Sequence, residues 1–207
     1  MKKFVFVVFG LIIFCKSAYA LIQVDITRGN LEPLPIAISP LYIEPGSKEI
    51  KIEGKILEDI GANISKVIEN NFRRSGLFNP LNKESFVQEP DVAHMKPRFE
   101  DWKLIKAQAL VTGKILVSED KLRVEFRLWD VIANKEMIAL AFTTVPNNWR
   151  RVAHIISDKI YKRLTGESGY FDTRIIYVSE KGPKNQRIKK LAIMDQDGVN
   201  TKYLTLG

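Results

Sequence analysis

The sequence has few of the residues that most metal and thiol sites require. Among 207 residues it contains one cysteine, Cys15, and two histidines, His94 and His154. Neither histidine has a second ligand at the spacing of common metal motifs. Phosphate-binding loops, nucleophile elbows and dinucleotide-binding fingerprints are also missing. We therefore predict a protein that is not an enzyme, with no catalytic residues, no metal and no cofactor.

One acidic stretch near the end of the chain deserves a separate test, because Asp195-Gln196-Asp197-Gly198 has the composition of a calcium loop. Aligning the glycine with its place in such a loop puts Ile193 and Leu204 at positions that need oxygen ligands. Neither side chain has one, so we predict no calcium site here.

The sequence also lacks an apolar run long enough to cross a bilayer, which needs roughly 20 residues. Its first 20 residues instead combine Lys2 and Lys3 with a short apolar segment over residues 4–14. Ala18 and Ala20 then place small side chains where signal peptidase requires them. This pattern predicts a signal peptide over residues 1–20, cleavage before Leu21, and export to the periplasm.

Cys15 lies inside this predicted signal peptide, so the mature chain would contain no thiol and no disulfide. A lipoprotein would keep Cys15 as its lipid-modified first residue. Phe14 argues against that alternative, because the residue before a lipidated cysteine must be small. The fold must then be stabilised by its apolar core alone.

No long block of charge of one sign interrupts the chain, although its net charge is +8. Basic and acidic residues are interspersed, which is typical of a solvated surface. The predicted last helix has a basic face, formed by Arg150, Arg151, Lys159, Lys162 and Arg163. That face leaves open an anionic-lipid or nucleic-acid binder as an alternative, although we expect no nucleic acid as a partner.

The predicted mature chain begins with an arm over residues 21–34. Its first part is β-branched and loosely alternating, and comprises Leu21, Ile22, Gln23, Val24, Asp25, Ile26 and Thr27. Pro33 and Pro35 then hold the chain extended and cannot donate to a sheet. The arm is either a frayed terminus or an extended peptide that adds to the sheet edge of a partner.

Residues 35–166 have the pattern of one α+β domain with two layers, a mixed sheet and its helices. The predicted elements are a strand over 35–43, a helix over 54–75 ending at Gly76, a turn over 78–81, and a short helix from 99 to 107. Strands over 109–117, 122–130 and 137–145 follow, joined by short turns that demand an antiparallel meander. A last helix, capped by Asn147 or Asn148, ends at Gly166.

Residues 167–207 form a linker and three further predicted strands, over 174–179, 188–195 and 201–206. Asp197 and Gly198 predict a two-residue hairpin turn with positive φ at both positions. Three short strands make an incomplete β-propeller blade, which cannot be stable without neighbours. The sheet either packs on the first domain or indicates a truncated or split form of a longer protein, and we favour truncation.

Several separated segments together resemble the TolB family of the Tol-Pal cell-envelope system. They are the signal peptide, the arm, PIAI (35–38), NNFRRSGLFNPL (70–81), WRRVAH (149–154), LTG (164–166) and FDTRIIYV (171–178). Each segment is modest alone, but their order and spacing over nearly the whole chain are specific. The main departure is that most of the propeller expected in the family is missing.

The resemblance implies a non-catalytic periplasmic adaptor that links inner-membrane Tol proteins to Pal, the peptidoglycan-associated lipoprotein. Such a protein would be peripheral to the outer membrane through its partners, and would serve outer-membrane integrity and constriction during division. The resemblance also implies that residues 21–27 add to the sheet of TolA, and that the propeller binds Pal. A periplasmic hydrolase remains a further alternative, and it would need convergent carboxylates in a pocket.

Overall fold

The computed structural model describes residues 32–206 except 48, 50, 53, 54, 57, 58, 119 and 120. In chain order the elements are β1 (Leu34–Ile38), β2 (Tyr42–Ile43), β3 (Lys51–Ile52), β4 (Lys55–Ile56), α1 (Ile60–Ser75), β5 (Phe78–Pro80), α2 (Pro90–Ala93), α3 (Phe99–Leu104), β6 (Ala109–Val117), β7 (Leu122–Asp130), β8 (Lys135–Thr144), α4 (Trp149–Thr165), β9 (Arg174–Lys181), β10 (Ile188–Asp195) and β11 (Lys202–Tyr203). Short 3₁₀ turns lie at Lys83–Ser85 and Pro146–Asn148. No helix in the described part of the chain combines the length and the apolar composition that crossing a membrane requires.

The first sheet is mixed and has the strand order β5-β1-β6-β7-β8, with β2 also paired to β6. β1 runs parallel to β5 and to β6, whereas β6, β7 and β8 form the predicted antiparallel meander. The meander was predictable because buried and exposed side chains alternate along β7, as the pleat requires. The mixed sheet with helices confirms the predicted fold class.

The first predicted strand is wrong in one respect, because the structure divides it into β1 and β2. Ser39, Pro40 and Leu41 separate the two, and Pro40 has no N–H to donate to a ladder. Both pieces still pair with β6, at opposite ends of that strand.

The predicted start of the long helix is also wrong, since α1 begins at Ile60 and not at residue 54. The hairpin of β3 and β4 occupies part of the preceding segment. Asp59 then caps the helix, its carboxylate accepting a hydrogen bond from the backbone N–H of Ala62 at 3.0 Å. The predicted end at Gly76 is confirmed, with φ at +72°.

Residues Phe78–Pro80 form strand β5, where the sequence predicted only a turn. β5 lies at the edge of the sheet, beside β1. Proline is tolerated on an edge strand, where an N–H that points away from the sheet is not needed. The prediction of a turn over 78–81 is therefore wrong at Phe78–Pro80.

The main core lies between one face of this sheet and the helices α1 and α4. It includes Ile36, Ile64, Phe72, Phe126 and Ile156, each with almost no exposed surface. The opposite face carries a smaller cluster in which Trp102 of α3 packs near Ala37 and Leu110. The sheet is thus covered mainly by α1 and α4, with the segment around α2 and α3 closing part of the other side.

Gly61 allows α1 to approach the backbone at Leu41 closely. A Cβ at this glycine would lie 2.0 Å from the Leu41 carbonyl oxygen, a distance that real atoms do not reach. We expect Gly61→Ala to lower the free energy of unfolding by about 1–3 kcal/mol, because the helix must shift. Urea denaturation measures this change. Lys66→Ala on the exposed face of α1 is the control, and an equal effect of both would contradict the prediction.

The second sheet consists of β9, β10 and β11 in antiparallel order. Its third strand is shorter than the sequence predicted. The predicted turn is wrong in detail, because Gly198 has φ at +84° whereas Asp197 has no positive φ. The backbone N–H of Asp195 donates to the carbonyl of Val199 around a longer loop, in which Gly198 and Asn200 are the left-handed residues.

Candidate functional site at the junction of the two sheets

The segment between α4 and β9 folds back along α4 and is fixed by Asp158 of that helix. The carboxylate of Asp158 accepts hydrogen bonds from the backbone N–H groups of Phe171, at 2.7 Å, and Asp172, at 3.1 Å. Gly169 lies so close to Asp158 that an added Cβ would meet its carboxylate oxygen at 2.3 Å. These contacts set the position from which the second sheet begins.

Phe171 anchors this segment in the main core. Its side chain is 1% exposed and meets Tyr161 of α4 edge to face, with ring centroids 5.7 Å apart. It meets Phe72 of α1 in the same way, at 6.0 Å. The joint predicted between the two parts of the chain is therefore held by aromatic packing against both long helices.

The loop between β10 and β11 reaches the same two helices through a buried polar network. Its centre is Asn71 of α1, which has no exposed surface. The amide nitrogen of Asn71 lies 3.0 Å from Nδ1 of His154 and donates to Oγ of Ser157 at 2.9 Å. Its amide oxygen accepts from Arg74 at 2.6 Å and from Gln196 at 3.0 Å. All four hydrogen-bonding positions of this amide are filled.

The orientation of the Asn71 amide fixes the tautomer of His154. Arg74 can only donate, so the atom that faces it must be the amide oxygen. The amide nitrogen therefore faces Nδ1 of His154, which must accept. A neutral histidine that accepts at Nδ1 carries its proton on Nε2. This Nε2 is buried without a hydrogen-bond partner, 3.7 Å from a carboxylate oxygen of Asp197.

Asp197 pairs with Arg150 of α4 across the junction. Burial opposes ionisation of Asp197, but the hydrogen bond and charge of Arg150, with smaller help from Val199 and His154, lower the pKa of the carboxyl. Burial lowers the pKa of His154, and the positive charges of Arg150 and Arg74 lower it further. The negative charges of Asp197 and Asp195 raise it, but the net shift is downward. The junction thus favours a charged carboxylate and a neutral imidazole.

His154, Asp195 and Asp197 place one nitrogen and two carboxylate groups within 4.8 Å of one another, as a metal site would. Two observations argue against a metal. The Asn71 hydrogen bond puts a proton on the Nε2 that would have to coordinate the ion. The guanidinium of Arg150 already neutralises Asp197. The arrangement is that of a buried ion pair and its neighbours.

A groove of about 520 Å³ runs beside this network, lined by α4, the linker and the second sheet. Its carboxylates have partners: Asp172 pairs with Arg151, and Asp195 accepts from Asn200. Convergent unpaired carboxylates, which the hydrolase alternative requires, are therefore not found among the residues that line this groove.

Comparison with known proteins identifies the first part of the chain. A family model described as the TolB amino-terminal domain matches residues 22–137. The chain belongs to the TolB family. A solved relative agrees: the crystal structure of TolB from Acinetobacter baumannii superposes with a TM-score of 0.67 at 25% identity. The match covers 89% of this chain and 41% of the Acinetobacter baumannii chain.

A curated TolB relative is much closer in sequence. Tol-Pal system protein TolB from Pelagibacter ubique (strain HTCC1062) is 70% identical over 205 residues. The match covers 99% of this chain but 46% of the relative, so the chain spans about half the length of that TolB. The resemblance noted in separated sequence segments is confirmed.

The residues predicted to bind a partner, Leu21 to Thr27, lie outside the described residues, as do Ala18 and Ala20. Their roles stay predictions. The structure instead brings together Asn71, His154 and Gln196, which the sequence analysis did not select as a site. One signal was available: Asn71 occupies a position in the apolar period of α1, with Ile64, Val67 and Ile68.

The basic face predicted for α4 is wrong in part. Arg150 turns into the junction and pairs with Asp197, and Arg151 pairs with Asp172 of the linker. Helical spacing placed these arginines on a solvated face, where the side chain of Arg151 indeed remains exposed. It could not show that a later part of the chain brings a carboxylate to each of them. The alternative of an anionic-lipid or nucleic-acid binder loses two of its five cations.

Proposed function

We propose that this chain acts as a non-catalytic periplasmic adaptor of the Tol-Pal system, serving outer-membrane integrity and constriction during division. The observation that carries the proposal is the family match over residues 22–137, together with 70% identity to a protein named as a Tol-Pal component. The paired carboxylates of the groove favour an interaction protein over a hydrolase.

The proposed contact with TolA is made by the arm, whose residues 22–27 fall inside the family match. β1, which follows the arm, already has β5 on one side and β6 on the other. The arm therefore has no free place beside the strand to which it is joined. Ile22, Val24 and Ile26 alternate with polar residues, as a strand that adds to a foreign sheet requires.

Pal has a different place in the proposal. The resemblance assigns Pal to a complete propeller, to which the described second sheet corresponds only in part. We therefore assign contact with TolA to the arm, and contact with Pal to the propeller of which this sheet forms a part.

Deleting residues 21–27 is expected to abolish binding to the purified periplasmic part of TolA, because main-chain hydrogen bonds of the added strand would be lost. The melting temperature is expected to stay within about 1 °C, because β1, where the described core begins, already has a strand on each side. Isothermal titration calorimetry and thermal unfolding measure the two effects.

A matched pair of arm variants separates strand addition from a loss of chain length. Replacing Ile22, Val24 and Ile26 with serine should weaken binding at least as strongly as truncating a binding hot spot, about 2 kcal/mol or more. Replacing Gln23 and Asp25 with alanine should leave most of the affinity. Unchanged binding after the deletion would overturn the proposed role of the arm. A melting temperature lowered by many degrees would make the arm structural.

A further inference from the structure

The second sheet is held to the helices by a small contact. Ile176 and Val178 of β9 are 62% and 58% exposed, while Ala192 of β10 is buried. The loop after β10 makes the polar contacts, through Gln196 to Asn71 and through Asp197 to Arg150. Docking of this loop therefore depends on the buried network more than on apolar surface.

His154 lies where this network meets the loop, and charged groups face it from each packed element. Arg150 faces it from its own helix α4, Arg74 from α1, and Asp195 and Asp197 from the loop. Its side chain is 3% exposed, so neither a proton nor a charge can be added there without changing buried contacts.

We propose that His154 makes the docking of the second sheet depend on pH. Neutral His154 holds the loop of residues 195–198 on α1 and α4, and protonated His154 releases the second sheet. This device is separate from the proposed contact between the arm and TolA. Docking of the second sheet would respond to protonation of His154 and would need no other ligand.

The Asn71 amide explains why protonation acts against docking. A protonated imidazole carries N–H groups on both nitrogens, so Nδ1 would point a second donor at the donating amide nitrogen of Asn71. Turning the amide over would relieve that clash. It would also put the amide nitrogen against Arg74, which cannot accept, and would withdraw the oxygen that now accepts from Gln196. Gln196 belongs to the loop, so either adjustment weakens its attachment.

The direction of the pH dependence follows from the same contacts. Burial lowers the pKa of His154 in the docked state. Release would expose the imidazole to water and return its pKa toward the ordinary value for histidine, about 6.5. Docking is thus strongest above about pH 6.5. It weakens as the pH falls from there toward the lower pKa of the docked form, by up to about tenfold per pH unit, because the released state binds the proton more tightly.

Spin labels test this movement in the full chain. The predicted mature chain has no thiol of its own, and Cys15→Ser removes the thiol where the precursor is used. Labels at Lys66→Cys on α1 and Ile176→Cys on β9 report the separation of helix and sheet. Electron–electron resonance should give one narrow distance at pH 8. Longer distances should replace it below about pH 6, while circular dichroism shows that the helices persist.

Three variants identify the group responsible. His154→Asn keeps an acceptor toward Asn71 but cannot titrate, so the narrow distance should persist at pH 5. Asn71→Asp offers an acceptor to protonated Nδ1, so docking should survive acidification. His94→Asn alters the other histidine, which stacks on Tyr42 away from the junction, and should leave the transition intact.

Two results would overturn the proposed role of His154 in docking. One is the same distance distribution at pH 5 and pH 8 in the parent chain, and the other is an unchanged transition in His154→Asn. Nitrogen chemical shifts of the imidazole provide an independent measurement that does not depend on variants. Nδ1 should show the shift of an unprotonated nitrogen at pH 8, and a proton on Nδ1 would contradict the structural basis of the proposal.

Discussion

Replacing Phe171 with alanine is expected to lower the free energy of unfolding by about 3–5 kcal/mol, the usual cost of deleting a buried aromatic side chain. The ring is 1% exposed and contacts Phe72 of α1 and Tyr161 of α4. Its loss would open a cavity where the linker enters the core. Guanidinium denaturation followed by tryptophan fluorescence measures the change.

The neighbouring Tyr170 supplies the control for this prediction. It is 44% exposed, and its ring also lies near Tyr161 and Phe171. Tyr170→Ala should cost roughly 1 kcal/mol, since less apolar surface returns to water. Comparable losses at both positions would show that Phe171 is not the anchor of the linker. Phe171→Leu, which refills most of the cavity, should recover much of the stability.

Trp102→Ala should have a similarly large effect, about 3–5 kcal/mol, on the opposite face of the first sheet. Its side chain is 1% exposed, and its ring meets Phe86 edge to face at 5.0 Å. Its indole N–H donates to the side-chain oxygen of Gln88 at 3.1 Å. Gln88 also accepts from the backbone of Arg98, so the tryptophan organises the whole segment before β6.

Two further variants separate the parts of this effect. Leu104→Ala lies in the same short helix but removes a side chain that is 80% exposed, so it should change stability by less than about 0.5 kcal/mol. Trp102→Phe keeps most of the ring and removes the donor. Because Gln88 still accepts from Arg98, losing this hydrogen bond should cost only about 0.5–1.5 kcal/mol. Urea denaturation of all three variants gives the comparison. A Trp102→Ala protein as stable as Leu104→Ala would show that this cluster is dispensable.

Local sequence was sufficient for the meander and for the ends of the two long helices. Val124, Phe126 and Leu128 alternate with polar residues in β7, and the period of two is visible without any tertiary contact. Gly76 and Gly166 terminate helices because each adopts a left-handed conformation, which glycine accepts without strain. These features depend on near neighbours in the sequence.

In the segment around α2 and α3 the sequence predicted only the short helix from residue 99, which the structure ends at Leu104 and not at residue 107. The order of the rest depends on single contacts between residues that are distant in the sequence. Gln88 has no periodic pattern around it, yet it bonds Trp102 and Arg98. The sequence did not predict the contacts at the junction of the two sheets for the same reason. Asn71 meets Gln196, 125 residues further along the chain, and no local pattern specifies such a pair. Local sequence predicted the end of the helix at Gly166, but not the amide and imidazole beside the segment that follows.

The parallel neighbours of β1 have a consequence for the order in which the chain folds. Leu34 is opposite Phe78, and Ile36 is opposite Ala109. Strand β1 therefore pairs with two strands, β5 and β6, that come much later in the chain. Such non-local pairings slow folding, because closing a long loop costs conformational entropy before the strands can form their contacts. A chain that emerges from its N-terminal end onward therefore cannot complete the parallel neighbours of β1 until β6 has followed.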